Sequence, residues 1–107
     1  MTLKPTLKEK HRYLLVRFSS EAKLGEADAR HAVYHSILRF LGELGFSQAN
    51  PKLVKFDAEK QEGVFKVVRG EEGRVKAALA LAKEAGGKPA VLRVVKVSGA
   101  INKLGAW

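Results

Sequence analysis

The stretch Lys88-Pro-Ala-Val-Leu-Arg-Val-Val-Lys-Val-Ser-Gly-Ala-Ile-Asn-Lys-Leu104 decides how the rest of the chain is read. Val91 to Val97 is dense in β-branched residues and bounded by Pro89 and Gly99, which predicts a strand. Strict alternation puts Leu92, Val94 and Lys96 on one face and Val91, Arg93, Val95 and Val97 on the other. Both faces are then largely apolar, as in a strand covered on two sides, and the cations Arg93 and Lys96 stand out against them. Ser98 is placed to cap a short helical turn over residues 99–104, whose unpaired N–H groups beside Lys96 and Lys103 offer a seat for a phosphate. An ordinary capped terminal turn has the same spacing.

Upstream of that strand, Glu71 and Glu72 suit a first helical turn, and Val75, Ala78, Leu79 and Ala82 recur at helical spacing until Gly86-Gly87. Before it, Val64 to Arg69 and Lys52 to Asp57 read as two strands joined by a charged loop, Ala58 to Gly63, hence an antiparallel hairpin. Asn50-Pro51 marks the turn that precedes them. Ala29, Val33, Ile37, Phe40, Leu41 and Leu44 then define the longest helix, with Gly45 as its stop. His31 and His35 lie on its opposite side, with Tyr34 and Leu38 on the shoulder as candidates for a protein contact. Two histidines four apart can share a metal, but Ala32 follows His31 where a zinc-protease helix needs glutamate, and no third ligand is evident; the expectation is unliganded surface histidines.

The first strand is Arg12 to Phe18, with Leu14, Val16 and Phe18 facing a core and Tyr13, Leu15 and Arg17 facing the other way. An aromatic beside a cation suits a base and a phosphate, and equally an ordinary solvated sheet surface. Residues 1–11 carry Lys4, Lys8 and Lys10 with little to bury and read as a basic arm, leaving 12–107 as one domain.

Strand, helix, strand, strand, helix, strand is the order of a ferredoxin-like or RRM-like α+β sandwich: a four-stranded antiparallel sheet with two helices on one face, here with a short C-terminal helical turn added. The other face of such a sheet is open. In RNA recognition motifs that face stacks bases on several aromatics, whereas the third strand here supplies only Phe65, so phosphate and shape contacts by Lys and Arg fit better.

Composition agrees. The chain has 107 residues, 20 Lys plus Arg against 11 Asp plus Glu, and a formal net charge of +9, which points to a polyanionic partner. There is no cysteine, so disulfides, thiolate catalysis and cysteine metal ligands are excluded together. The absence of a long apolar run or a signal peptide leads to the expectation of a soluble cytoplasmic protein without membrane association. Few side-chain amides and a single methionine, Met1, hint at a heat-adapted source.

A set of residues in order along the chain resembles the archaeal ribonuclease P protein component 2 family. It comprises Pro5-Thr6-Leu7, Lys10, Arg12-Tyr13, Leu53-Val54-Lys55-Phe56-Asp57, Gly63-Val64, Val97-Ser98-Gly99, Ile101 and Lys103-Leu104. The likeness departs at Lys96, where relatives tend to have glycine, and at Ala100, where they tend to have threonine. The resemblance implies a subunit of the ribonucleoprotein that removes the 5′ leader from precursor tRNA, in which the RNA performs the hydrolysis with bound Mg2+. It implies no cofactor in the protein, a larger ribonuclease P protein subunit as partner, and two such pairs joined as a heterotetramer. The residues expected to touch RNA are Lys10, Arg12, Tyr13, Arg17, Arg93, Lys96, Ser98, Gly99 and Lys103. A reading of the residues alone agrees that no acid–base pair or activated nucleophile is present. Two rivals share the strand order. A free-standing RNA-binding or ribosomal protein has the same charge, and an acylphosphatase would need glycines and an arginine in the loop Ser19 to Leu24, which has neither.

Overall fold

In the computed structural model, which describes residues 10–100, the first strand, β1, spans His11–Ser20 and runs through the middle of the sheet. Its alternation is the one the sequence requires: Leu14, Val16 and Phe18 are buried beneath the helices, while Tyr13, Leu15 and Arg17 point to the opposite face. The strand begins at His11, one residue inside the stretch expected to be an arm; residues 1–9 lie outside the described residues.

Helix α1 covers Glu26–Ala49. Glu26 and Asp28 place negative charge in its first turn, where the helix dipole favours it. Its buried stripe is Ala29, Ala32, Val33, Ser36 and Ile37, and the buried Ser36 hydroxyl is satisfied by donating to the Ala32 carbonyl at 2.7 Å. At Gly42 the backbone leaves helical geometry (φ 76°, ψ 177°), a conformation only glycine adopts easily. The phase of the stripe changes there. Leu44, expected in the core, is 73% exposed, Phe40 is exposed as well, and the helix continues past Gly45. It stops instead at Asn50, in the left-handed region, whose N–H donates to the Phe46 carbonyl before Pro51.

Strands β2 (Lys52–Asp57) and β3 (Glu62–Val68) form the expected hairpin. Asp57 Oδ1 accepts the N–H groups of Glu59 and Lys60 within the turn. Gln61, held at positive φ, ties the turn to the β1–α1 connection: its side chain accepts the Leu24 N–H and donates to the carbonyls of Leu24 and Ala58.

Helix α2 is shorter than expected, Glu72–Ala80, with Val75, Ala78 and Leu79 buried. Gly86 and Gly87 do not end it. Both have positive φ (58° and 77°) and form a two-residue hairpin turn between a short strand β4, Glu84–Ala85, and β5, Lys88–Ser98. The sheet therefore has five antiparallel strands, ordered β2-β3-β1-β5-β4, and not four. Removing β4 leaves the ferredoxin-like order, with the hydrophobic core between one sheet face and the two helices. The helical turn expected over 99–104 falls mostly in residues 101–107, outside the described residues. Among the described residues no helix is long and apolar enough to cross a membrane.

Candidate nucleic-acid interface

The sheet face away from the helices can be laid out from strand register, because residues paired across antiparallel strands share a face. Three rows cross it. In the first, Lys52, Lys66, Tyr13 and Ser98 are aligned over β2, β3, β1 and β5. In the second, Lys55, Val64, Leu15 and Lys96 stand in the same order. The third is Asp57, Glu62, Arg17 and Arg93.

This arrangement depends on two β-bulges. On β5 the pairing jumps from Lys96 opposite Leu15 to Val94 opposite Val16, leaving Val95 as the extra residue. Strict alternation put Lys96 with Leu92 and Val94; the bulge turns it to the face of Arg93. On β2 the pairing skips Val54, which brings Lys52 and Lys55 to one face while Leu53 and Phe56 pack into the core. Both bulges lie where one side of the strand is unpaired: β2 is the edge of the sheet, and β4 pairs β5 only at Lys88 and Pro89, away from Val95.

The electrostatics are set by the rows. Lys52, Lys55, Arg93 and Lys96 are exposed at the two rims. Between them Leu15 and Val64 are buried, with half-buried Tyr13 packed on them. Arg17 is committed within the sheet: its Nε and one terminal nitrogen donate to the same Glu62 oxygen at 3.0 and 2.7 Å. That pairing also separates Arg17 from like-charged Arg93 directly opposite. The third row is thus close to neutral, and the cationic excess lies in the first two rows.

The remaining expected residues are dispersed. Arg12 projects to the helix side of the sheet, 3.7 Å from the Glu72 carboxylate, and its guanidinium occupies the space a side chain at Gly99 would need. Lys10 is exposed at the strand entry, where its carbonyl accepts the Arg69 N–H. Ser98 Oγ accepts the Ala100 N–H, the local contact expected of a capping serine. Lys103 lies outside the described residues. Tyr34 is half-buried against Phe46 and Phe65, and its hydroxyl accepts the Leu53 N–H at 2.9 Å, so it anchors the rim strand β2 to α1. Leu38 is exposed. His31 and His35 stack on the helix surface, and among the described residues no three His, Asp or Glu side chains converge as a metal site.

Lys52, Lys55 and Lys66 were missed as site residues from sequence. A signal existed. Lys52-Leu-Val-Lys55 repeats the cation-apolar-apolar-cation pattern of Arg93-Val-Val-Lys96, and both contain the bulge. The pattern alone is insufficient, because Lys66-Val-Val-Arg69 has it too and runs without a bulge on the inner strand β3.

Comparison with known proteins gives this surface a context. The model of the Rpp14/Pop5 family matches residues 12–107. The chain belongs to that family. Among similar members, the protein named ribonuclease P protein component 2 from Pyrococcus furiosus is 37% identical over 103 residues, covering 96% of this chain and 86% of the relative. The protein of the same name from Methanocaldococcus jannaschii is 35% identical over 102 residues, covering 95% and 75%. A chain in the cryo-EM structure of yeast ribonuclease MRP superposes with a TM-score of 0.70 at 11% identity, over 87% of this chain and 76% of that one, a likeness of fold. In this Rpp14/Pop5 member the rim lysines Lys52, Lys55 and Lys96 lie on the sheet face away from the helices.

The Arg17–Glu62 pair provides a test of the layout. Glu62→Gln removes a nearly buried charge whose loss is expected to cost about 1–3 kcal/mol of stability, measured by chemical denaturation. The same change releases Arg17 and should raise RNA affinity and steepen its salt dependence. A variant that loses stability without gaining affinity would show that Arg17 does not face the RNA.

Proposed function

We propose that this chain is the small protein subunit of ribonuclease P, binding and stabilising the catalytic RNA for removal of the 5′ leader from precursor tRNA in the cytoplasm. The observation that carries the reading is the open sheet face, where two bulges gather six cations against two carboxylates in three rows. The names of the relatives support it. Its role is electrostatic. Cations fixed on a rigid sheet replace diffusible counterions along the RNA backbone, so the folded RNA persists at lower ionic strength. Mg2+, held by the RNA, supplies the charge stabilisation for phosphodiester hydrolysis; a cationic protein face repels divalent ions and leaves them to the phosphates.

The larger ribonuclease P subunit is assigned to the helix layer. Leu38, Phe40 and Leu44 of α1 and Leu81 beyond α2 are exposed there, on the side of the molecule away from the cation rows. Two pairs assembled as a heterotetramer would use the same layer and leave the sheet face to the RNA. A free-standing RNA-binding protein shares the face but has no need of a second, apolar surface.

Reconstituted precursor cleavage, with the RNA and the other protein subunits and with or without this chain, is the test. Titration with Mg2+ should show half-maximal cleavage at lower Mg2+ when the chain is present, and the chain alone should cleave nothing. Superimposable titrations would remove the proposed role.

A further inference from the structure

Resting on the RNA-binding reading, we infer that the open sheet face takes an A-form RNA duplex across its minor groove, one cation rim against each phosphate strand. The rims are Lys52 with Lys55 on β2 and Arg93 with Lys96 on β5, all four exposed. Strands β3 and β1 separate them, so three inter-strand steps of about 4.8 Å set the rims about 14 Å apart. Charge in two parallel rails fits two backbones. A single strand needs only one, together with a row of aromatics on which successive bases stack.

The floor between the rims is wrong for stacking. Phe18, Phe56 and Phe65 all turn into the core, where their rings pack together, which among the described residues leaves this face only Tyr13 and, at the start of β1, the imidazole of His11. Leu15 and Val64 are buried, so a groove laid across the face meets the half-buried Tyr13, Lys66 and Ser98 of the first row and has no exposed ring to intercalate. The A-form minor groove is wide and shallow and lined with 2′-hydroxyls, whereas its major groove is too narrow for side chains. The hydroxyls of Tyr13 and Ser98 share the first row and are the polar groups of the floor suited to 2′-OH contacts. In the third row Glu62 neutralises Arg17, so that row adds only Arg93 to the rails. B-form DNA has a narrower minor groove and no 2′-OH, so it fits the same rails less well.

The test is fluorescence anisotropy with the full chain and three probes of one sequence: a blunt RNA duplex of about 16 base pairs, its single strand, and the DNA duplex. At one salt concentration the RNA duplex should bind at least about tenfold tighter than the other two. Lys52→Gln with Lys55→Gln, and separately Arg93→Gln with Lys96→Gln, should each weaken duplex binding by a similar factor. These neutral changes at exposed positions leave the core intact, and far-UV circular dichroism checks that they do. Single-stranded RNA or duplex DNA bound as tightly as duplex RNA overturns the inference and leaves RNA binding standing. A β2-rim variant with unchanged duplex affinity overturns it too, since the duplex then needs one rail. Failure to bind any RNA overturns the underlying reading as well.

Discussion

Replacing Phe65 with alanine is expected to remove about 3–5 kcal/mol of folding stability, the cost of an aromatic-sized cavity that the surroundings cannot close. Phe65 is only 1% exposed and is among the largest fully buried side chains. Its ring lies 6.5 Å from Phe18 and 6.4 Å from Tyr34, and a Cβ at Gly63 would come within 3.1 Å of it. A domain of this size has about 5–15 kcal/mol in total, so the loss is a large share and should lower Tm by on the order of 15–30 °C. Leu44→Ala is the matched control. A helical stripe extended through Gly42 would make it another core deletion, whereas its 73% exposure limits the expected change to about 0.5 kcal/mol. Similar midpoints for the two variants in a denaturant titration would refute the break at Gly42. Phe65→Ala also acts at a distance, because Tyr34 leans on that ring while its hydroxyl holds Leu53 of the rim strand.

The order of elements was legible because local signals agreed with the fold. Alternation on β1, the Asn50-Pro51 turn and the charged loop before Gly63 each say the same thing as the tertiary structure. The misread parts are those in which one residue changes the phase of its element downstream. Gly42 shifts the helical stripe and strands Leu44 outside; Val54 and Val95 shift the strand alternation and bring lysines across the sheet. A bulge is a property of two strands, set by how many residues each contributes between fixed pairs, so one strand's sequence cannot locate it. Gly86-Gly87 suits either a helix stop or a hairpin, and the choice falls to β5, long enough at its start to give β4 a partner. Arg12 and Arg17, both expected to touch RNA, lie on opposite faces of the sheet, as their parity on β1 requires.

Charge reversal at Arg93 and Lys96 together is expected to weaken RNA binding on the order of 100-fold at about 50 mM salt and to reduce the slope of log affinity against log salt by about 1.5. Every phosphate that the variant no longer neutralises keeps its condensed counterions in the complex, so the slope falls with the number of contacts and the deficit shrinks as salt rises. Both residues are exposed and reach the same face through the bulge at Val95, so the fold should survive the change. Arg12→Gln supplies the contrast. That residue is also a cation of the sheet, yet it lies on the helix side against Glu72, and its loss should alter stability modestly and the salt slope hardly at all. The pair of variants separates a directed surface from a mere excess of positive charge, since neutralising any cation lowers the net charge while only those on the open face remove a phosphate contact. Equal slopes for the Arg93→Glu/Lys96→Glu protein and the unmodified chain would mean that the RNA lies elsewhere. A slope lowered by Arg12→Gln about a quarter as much, in proportion to the one charge it removes against the four changed by the double reversal, would mean that binding tracks the overall charge of the molecule and that the rows on the sheet have no special part in it.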